Sequence, residues 1–553
     1  MVIDTNDLTD ANPAPYDVCI VGSGPAGLTI ANELRHSGLR LAVLESGQLQ
    51  RTAHADQLKK VISQGFEIKH HSRERLLGGA SLNWDGLSAP LEPIDFAPRP
   101  WLPFSGWPIN ATELRPYYRQ AAERYGFPDL NWFKEATPEP FRREGDYQFR
   151  WKRIAERLIV APTHPQRFGR LMASIFDSSH LDLYTDATVT KLNPPSADGW
   201  LSCLVKTRGM KSVTFRATVL VLAAGGIENA RLLLASNIGN ECDQVGRYFM
   251  NHPRDAFGEV KLQTGIRHLP AYFGCLRKGR AIYLALRLTD EAQRDLEVLN
   301  SYVRFEPLYR WSDKRGVQLL INYVKSKRWL WEKLEGFKGE TASMLDWAET
   351  GDDPNIKLIG QEVPTLPGLT AALLRDAPYV AQYGFYRAFD RLRPRVVGIR
   401  IRNFMEMAPD PNNRIELGHE KDVYGNPLPI VRYSATDLDK RSIIELHRVL
   451  GEELEAQGFG RLFSDFEKSE NWPITTDASH HMGATRMGTD PRTSVVDPNC
   501  QVHSVPSLYV AGSSVFPTSG YANPTFTLVA LAIRLAEQIR TTFPIRAPHP
   551  RYP

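Results

Sequence analysis

Cysteine is scarce in this chain, and its five cysteines (Cys19, Cys203, Cys242, Cys275, Cys500) are scattered. No C-x-x-C pair exists, which argues against a zinc site or a redox dithiol and predicts no metal. No run of about twenty apolar residues is present, so nothing is expected to span a membrane. Met1 to Pro15 is polar and lacks the apolar core of a secretory signal. Charge of one sign is also lacking. Lys and Arg number 67 against 63 Asp and Glu, and a net charge of +4 is too small to argue for nucleic acid. Neither internal repeats nor low-complexity segments are found. The expectation is a cytoplasmic protein with no nucleic-acid or membrane partner. Its 553 residues, 42% hydrophobic, allow a large core and more than one domain.

Against these absences, one stretch is dense in signal. Tyr16 to Glu45 reads YDVCIVGSGPAGLTIANELRHSGLRLAVLE. A short apolar run (Val18 to Val21) is followed by Gly22, Gly24 and Gly27 in the spacing G-x-G-x-x-G. A helical pattern comes next, and a second apolar run ends at Glu45. Gly22 permits a tight turn, Gly24 a close backbone approach to a pyrophosphate, and Gly27 close packing of helix on sheet. The helix start adds free N–H groups and a positive dipole end for the anion. A carboxylate at position 45 suits a ribose diol and repels a 2′-phosphate, so NADP is not expected.

Further along, Leu77-Gly78-Gly79-Ala80-Ser81-Leu82-Asn83-Trp84 suits a backbone held against a flat ring system, and equally an ordinary turn. The Pro- and aromatic-rich residues 90 to 110 read as an irregular packed surface segment. Thr112 to Glu123 reads as a helix, and Leu183 to Leu192 as the edge of a strand pair. Thr214 to Leu222 is a buried parallel strand ending in Ala223-Ala224-Gly225-Gly226, with a helix from Ile227 to Ala235. Residues 255 to 475 carry alternating strands such as Gly398 to Met405, a turn at Pro409 to Asn413, a strand from Arg414 and a helix over Asp437 to Gln457. These predict an antiparallel sheet with one polar face in a second domain. Its aromatics (Trp311, Tyr323, Trp329, Trp331) suit a sugar pocket or, more commonly, a core. A last strand, Ser507 to Val510, runs into Ala511-Gly512-Ser513. The helix over Thr525 to Ile539 is preceded by Asn523 at a cap position and Pro524 at its first turn. A strand–loop–helix unit so far from the first implies a cofactor domain assembled from both ends of the chain.

The other chemically informative stretch is His480-His481-Met482-Gly483-Ala484-Thr485-Arg486-Met487-Gly488. Histidine is a natural general base near neutral pH, although a His-His pair is more often structural. Several segments in the right order now carry a resemblance. They are Gly22-x-Gly24-x-x-Gly27 with Glu45, then Gly78 to Trp84, then Val221 to Asn229 and Val245 to Tyr248. His480-x-x-Gly483-x-x-Arg486 and Gly512 through Asn523-Pro524-Thr525 follow. Over nearly its whole length the chain resembles a glucose–methanol–choline oxidoreductase, nearest the bacterial sugar-oxidising branch of pyranose oxidases and glycoside 3-dehydrogenases.

That resemblance implies FAD rather than NAD. It implies an α/β Rossmann-like FAD domain, discontinuous over residues 10–100, 170–255 and 480–545. Residues 101–169 and 256–479 would form an α+β substrate domain on an antiparallel sheet. The cofactor would lie against Gly22, Gly24, Pro25, Ala26, Gly27, Glu45 and Ser46, then Gly78, Gly79, Ser81, Asn83 and Trp84. Val189, Ala224 and Gly225 would follow, with Gly512, Ser513, Asn523, Pro524 and Thr525 from the C-terminal part. Only His480 has the glycine three and the arginine six residues on, so the resemblance makes His480 the base and Asn523 its partner. His481 would then be a packing residue. Some family members tether the flavin through a histidine in the second segment. Asn83 stands at the matching position and cannot form that bond, which implies non-covalent FAD. The implied reaction is oxidation of an alcohol, favoured as a secondary hydroxyl of a sugar, glycoside or cyclic polyol, with O2 or another carrier as electron acceptor. An oligomer is compatible with all of this. A lyase of the same fold, oxidation of a non-sugar primary alcohol, an NAD-dependent dehydrogenase and a non-enzymatic flavin module remain open alternatives at this point.

Overall fold

A computed structural model describes all residues except 10–11, 85, 134–146, 163–164, 197, 267–268, 278–279, 327–364, 389–394, 467 and 544–553. Among the described residues, three sheets organise the chain. The eight-stranded sheet begins with five parallel strands in the order Val2–Asp4, Leu181–Thr185, Leu41–Leu44, Tyr16–Val21 and Ser212–Leu222. The long Ser212–Leu222 strand serves two neighbours on its free side. Its first half pairs with Leu201–Lys206, which continues antiparallel to Thr188–Asn193, and its last three residues pair in parallel with Leu508–Val510. The N-terminal and C-terminal parts of the chain thus share one sheet.

Sequence accounts for this layer directly. Tyr16–Val21 and Leu41–Leu44 are apolar runs and are buried along almost their whole length, as strands covered on both faces must be. The Pro25–Leu34 helix buries seven of its ten residues, Leu28, Ile30, Ala31 and Leu34 among them. It packs on the C-terminal helix Pro524–Thr542, which buries Phe526, Val529, Leu531, Ile533 and Leu535. The expected Leu183–Leu192 edge pair is instead two different things. Leu181–Thr185 lies inside the parallel sheet, and only Thr188–Asn193 is an edge, because the turn at Asp186 redirects the chain.

The second sheet is antiparallel throughout. Cys275–Arg277, Arg280–Leu288, Tyr302–Tyr309, Val396–Phe404, Arg254–Ile266 and Gly460–Phe463 follow one another, and Ile154–Val160 pairs with Arg280–Leu288. The expected polar face is present at one end of its central strands, where Glu306, Arg400 and Arg402 are part-exposed, and is covered at the other. Alternate residues go to two cores: Tyr283, Ala285, Tyr302 and Phe404 to the one shared with the parallel sheet, and Leu284, Val303, Phe305 and Ile401 to a separate one. Residues 90–110 also depart from expectation, since Leu91, Ile94, Phe96, Trp107 and Ile109 are buried and Trp107 Nε1 donates to Thr518 Oγ1. A three-stranded sheet joins Ile62–Gly65 to the hairpin Arg414–Lys421 and Pro427–Tyr433. Asp437–Ala456 is a helix with a capping box from Thr436 and Asp439. Trp311 packs on Tyr309 and Tyr386 in the second core, and Tyr323 packs beside Leu319. The core reading therefore holds for both, while Trp329 and Trp331 lie outside the described residues.

Candidate functional site

A cavity of about 360 Å³ runs from the carboxyl ends of the parallel strands to the antiparallel sheet. The ends of parallel strands are where open α/β sheets place their ligands. Its walls combine Gly22, Gly24, Pro25, Ala26, Glu45 and Ser46 with Gly79, Ser81, Asn83, Trp84 and Val189. Ala224, Gly225, Gly512, Ser513, Asn523, Pro524, Thr525 and His480 complete the set. Two expected residues, Gly27 and Gly78, are not on this wall. A Cβ on Gly27 would lie 2.0 Å from the Gly22 carbonyl oxygen, so it packs the helix on the turn, and Gly78 abuts the Gly169 backbone.

Three of the glycines facing the cavity behave differently. A Cβ added at Gly24, Gly225 or Gly512 would meet nothing within 4 Å. Three separate strand–helix turns thus bare their backbone to one space, which suits an extended dinucleotide. Asn229 ties two of the turns together. Its Oδ1 accepts from Ala224 N (2.9 Å), and its Nδ2 donates to the Ala511 carbonyl (3.1 Å) and Ser514 Oγ (3.0 Å). Glu45 is buried, with Ser23 N and Oγ donating to Oε2 (3.1 and 2.6 Å) and Gly47 N to Oε1 (2.9 Å). Its carboxylate is fixed by the Gly22 turn and retains lone-pair capacity toward the cavity. Beyond it, Arg73, Arg75 and Arg231 surround Glu228 at 2.8, 3.2 and 2.7 Å. Burial would raise the Glu228 carboxyl, but the three guanidinium groups hold it well below the usual range.

At the other end, segments 250–252 and 480–482 lie antiparallel. Met250 N donates to the Met482 carbonyl (2.9 Å) and Met482 N to the Met250 carbonyl (3.0 Å). Two residues on, His252 and His480 face each other with their Nδ1 atoms 3.0 Å apart. Asn251 Oδ1 accepts from both His252 N (2.8 Å) and His480 N (3.1 Å). Its Nδ2 donates to Asp477, which also accepts from Ser479 N (2.6 Å). His252 Nε2 lies 2.8 Å from the Gly520 carbonyl oxygen, which can only accept. His252 therefore carries its proton on Nε2, its Nδ1 accepts, and His480 must donate from Nδ1. The His480 lone pair is left on Nε2, in a ring that lines the cavity. Burial takes His252 down to about 4. Burial, then the neighbouring His252 and Arg254, holds His480 well below the usual imidazole value. Both rings are neutral at physiological pH, as this proton order requires.

Asn523 occupies the cap position of the Pro524–Thr542 helix, but its side chain makes no capping bond. It turns instead to the cavity, with Nδ2 donating to the Leu87 carbonyl (2.8 Å), which leaves its second N–H free for a ligand. His481 is buried against Phe249 and Gly226, 3.9 Å from Asp477. Asn83 is held by its own neighbours. Its Nδ2 donates to the His71 carbonyl (2.9 Å) and Glu74 (2.7 Å), and its Oδ1 accepts from Arg51 (2.6 Å). Sequence reasoning missed His252. The motif around it, Asn251-His252-Pro253, has no spacing signature of its own, and only the 250–252 and 480–482 pairing brings it to His480.

With the geometry in place, comparison with known proteins decides the class. The C-terminal profile described as GMC oxidoreductase matches residues 409–532, and the profile described as FAD dependent oxidoreductase matches residues 17–256. The chain carries a GMC oxidoreductase C-terminal domain together with an FAD-dependent oxidoreductase domain. Paromamine 6'-oxidase of Streptomyces fradiae is 23% identical over 95% of this chain and 91% of its own length. A C-glycoside 3-oxidase of Arthrobacter globiformis is 39% identical over 21% of this chain and 22% of its own. A 2-methyl-1,2-propanediol dehydrogenase of Mycolicibacterium austroafricanum is 22% identical over 95% of both chains. Among solved structures, a variant of Aspergillus oryzae formate oxidase superposes with a TM-score of 0.52 at 15% identity, over 96% of this chain and 99% of that one, which shows the shared fold. The protein is an FAD-dependent oxidoreductase acting on CH–OH groups. No described helix is long and apolar enough to cross a membrane.

Proposed function

We propose that this enzyme oxidises a hydroxyl of a sugar, glycoside or cyclic polyol, favouring a secondary one, to the carbonyl, with His480 as general base. The observation that carries this reading is the Gly520–His252–His480 chain, which leaves an unprotonated Nε2 on a ring of the cavity wall that Asn523 also lines. FAD, which the turns at Gly24, Gly225 and Gly512 would hold, would supply the acceptor for the hydride of the carbinol carbon. His480 Nε2 takes the hydroxyl proton as that hydride departs. The resulting imidazolium is stabilised by its Nδ1–H bond to His252, and the free Asn523 N–H stabilises the developing alkoxide. The relatives support the substrate class, since paromamine and C-glycosides are polyhydroxylated rings.

The proposed division keeps residues 10–100, 170–255 and 480–545 with FAD, and 101–169 and 256–479 with substrate. FAD is held without a covalent bond, since the Asn83 amide offers no nucleophile and is committed to three protein partners. All five cysteines are free, which favours the reducing cytoplasm. O2 or another carrier takes the electrons onward. The test is an anaerobic screen of sugars, glycosides and polyols against the purified yellow protein. Substrates of the proposed class bleach the flavin absorption and His480→Ala abolishes the bleaching; a screen with no bleaching, or an unaffected variant, overturns the reading.

A further inference from the structure

Among the described residues, one cation in the cavity, Arg304, has no counter-charge. Arg304 is 6% exposed, lines the cavity, and makes no hydrogen bond or ion pair with any described residue. Its guanidinium is held between two rings, 4.5 Å from the Tyr283 centroid and 4.7 Å from that of Phe404. Its Nε is fully enclosed without a partner. The two rings stabilise its charge, but they satisfy none of its five N–H donors. The acids nearby are committed. Glu306, two residues along the same strand, is engaged by Arg400 (3.1 Å) and Arg402 (3.4 Å). The three carboxylates on the cavity wall are also taken: Glu45 by Ser23 and Gly47, Glu74 by Arg51 and Lys59, Glu228 by three arginines. A buried charge without a partner is expensive, so its retention here requires a ligand.

Position says which ligand. Arg304 lies on the antiparallel sheet, away from the glycine turns that suit the pyrophosphate. Phe404, the ring beneath it, is the strand partner of Arg254, two residues beyond His252. Tyr302, on the same face of its strand, packs against Tyr521 two residues before Asn523. Arg304 therefore sits on the His480–Asn523 side of the cavity.

The geometry points to a substrate that carries an anionic group, a carboxylate or a phosphate ester, on the sugar or polyol whose hydroxyl is oxidised, with Arg304 as the residue that binds it. This rests on the alcohol-oxidation reading and narrows it. A planar fork held between two rings matches either anion through paired N–H donors.

The test compares D-glucose, D-glucuronate and D-glucose 6-phosphate with the FAD-loaded enzyme, by kcat/KM and by calorimetric binding under anaerobic conditions. Wild type should favour at least one anionic sugar over glucose, and Arg304→Met should lower that preference on the order of 10- to 100-fold, the worth of a charge-assisted hydrogen bond. Arg304→Lys should retain part of the preference for phosphate and less of that for carboxylate, because it lacks the fork. Preference for glucose over both anions, or an equal loss on all three substrates in Arg304→Met, overturns the inference. Binding of an anionic sugar that depends on Arg304, without oxidation of any sugar, upholds it and sinks the oxidation reading instead.

Discussion

Replacing His252 tests the proton order on which the proposed chemistry stands. The ring makes two contacts with separate duties: Nε2 donates to Gly520 O at 2.8 Å, and Nδ1 accepts from His480 at 3.0 Å. His252→Leu removes both. Losing the donor leaves a buried carbonyl unsatisfied, which costs about 1–3 kcal/mol of stability. Losing the acceptor removes a charge-assisted hydrogen bond formed as His480 takes its proton, worth about 1.5–3 kcal/mol, so the rate of anaerobic flavin reduction should fall roughly 10- to 150-fold. Substrate affinity should change little, because the bond strengthens only as charge develops. Two further variants separate the duties. His252→Asn places an oxygen near the Nδ1 position and should restore much of the rate without the stability. His252→Gln reaches toward Gly520 and should restore stability without the rate. Stopped-flow reduction and thermal denaturation read the two effects. The relay is refuted if His252→Leu reduces as fast as wild type, or if the Asn and Gln variants behave alike in both assays.

Other perturbations follow from the same geometry. Gly24 has ordinary extended dihedrals (φ −72°, ψ −176°) and open space before it, so Gly24→Ala should leave the melting temperature of the FAD-free protein unchanged while weakening FAD binding about tenfold by fluorescence titration; unaltered FAD affinity would contradict the assignment of that space. Acid precipitation should give a colourless pellet and a yellow supernatant, and a yellow pellet would mean a covalent bond, with His71, also on the cavity wall, the first candidate. A base must be neutral to accept a proton, so kcat/KM falls as pH falls through the pKa of His480. Because burial, His252 and Arg254 depress that value, the acid limb should lie below pH 6.5, and a limb centred above pH 7 would exclude His480 as the base. The buried Arg99–Glu406 pair is bidentate, and Glu406 also accepts from Asn300 N, so Glu406→Ala should destabilise the fold by about 3–5 kcal/mol in chemical denaturation; a loss below 1 kcal/mol would show that water reaches Arg99.

What sequence determines here is local. Tyr16–Val21 is a strand because it is apolar and short, Gly22 turns because it can adopt φ +102°, and Gly27 packs because it lacks a Cβ. The Pro524 helix and the turns at Ala223 and Ala511 are legible for similar reasons, and His480 stands out by its spacing from Gly483 and Arg486. Composition likewise separates the parallel and antiparallel layers. Other features depend on distant segments meeting. Leu181–Thr185 is interior because Val2–Asp4 covers its far side. Asn523 reads as a helix cap, yet turns away to a carbonyl 436 residues earlier. His252 becomes the partner of His480 only through the Met250–Met482 bridge, and Arg304 lacks a counter-charge among the described residues because Arg400 and Arg402 of the neighbouring strand claim Glu306. Backbone preferences act over a few residues and so can be read along the chain. Proton order and uncompensated charge are properties of neighbours in space, and those arise only when the chain has folded.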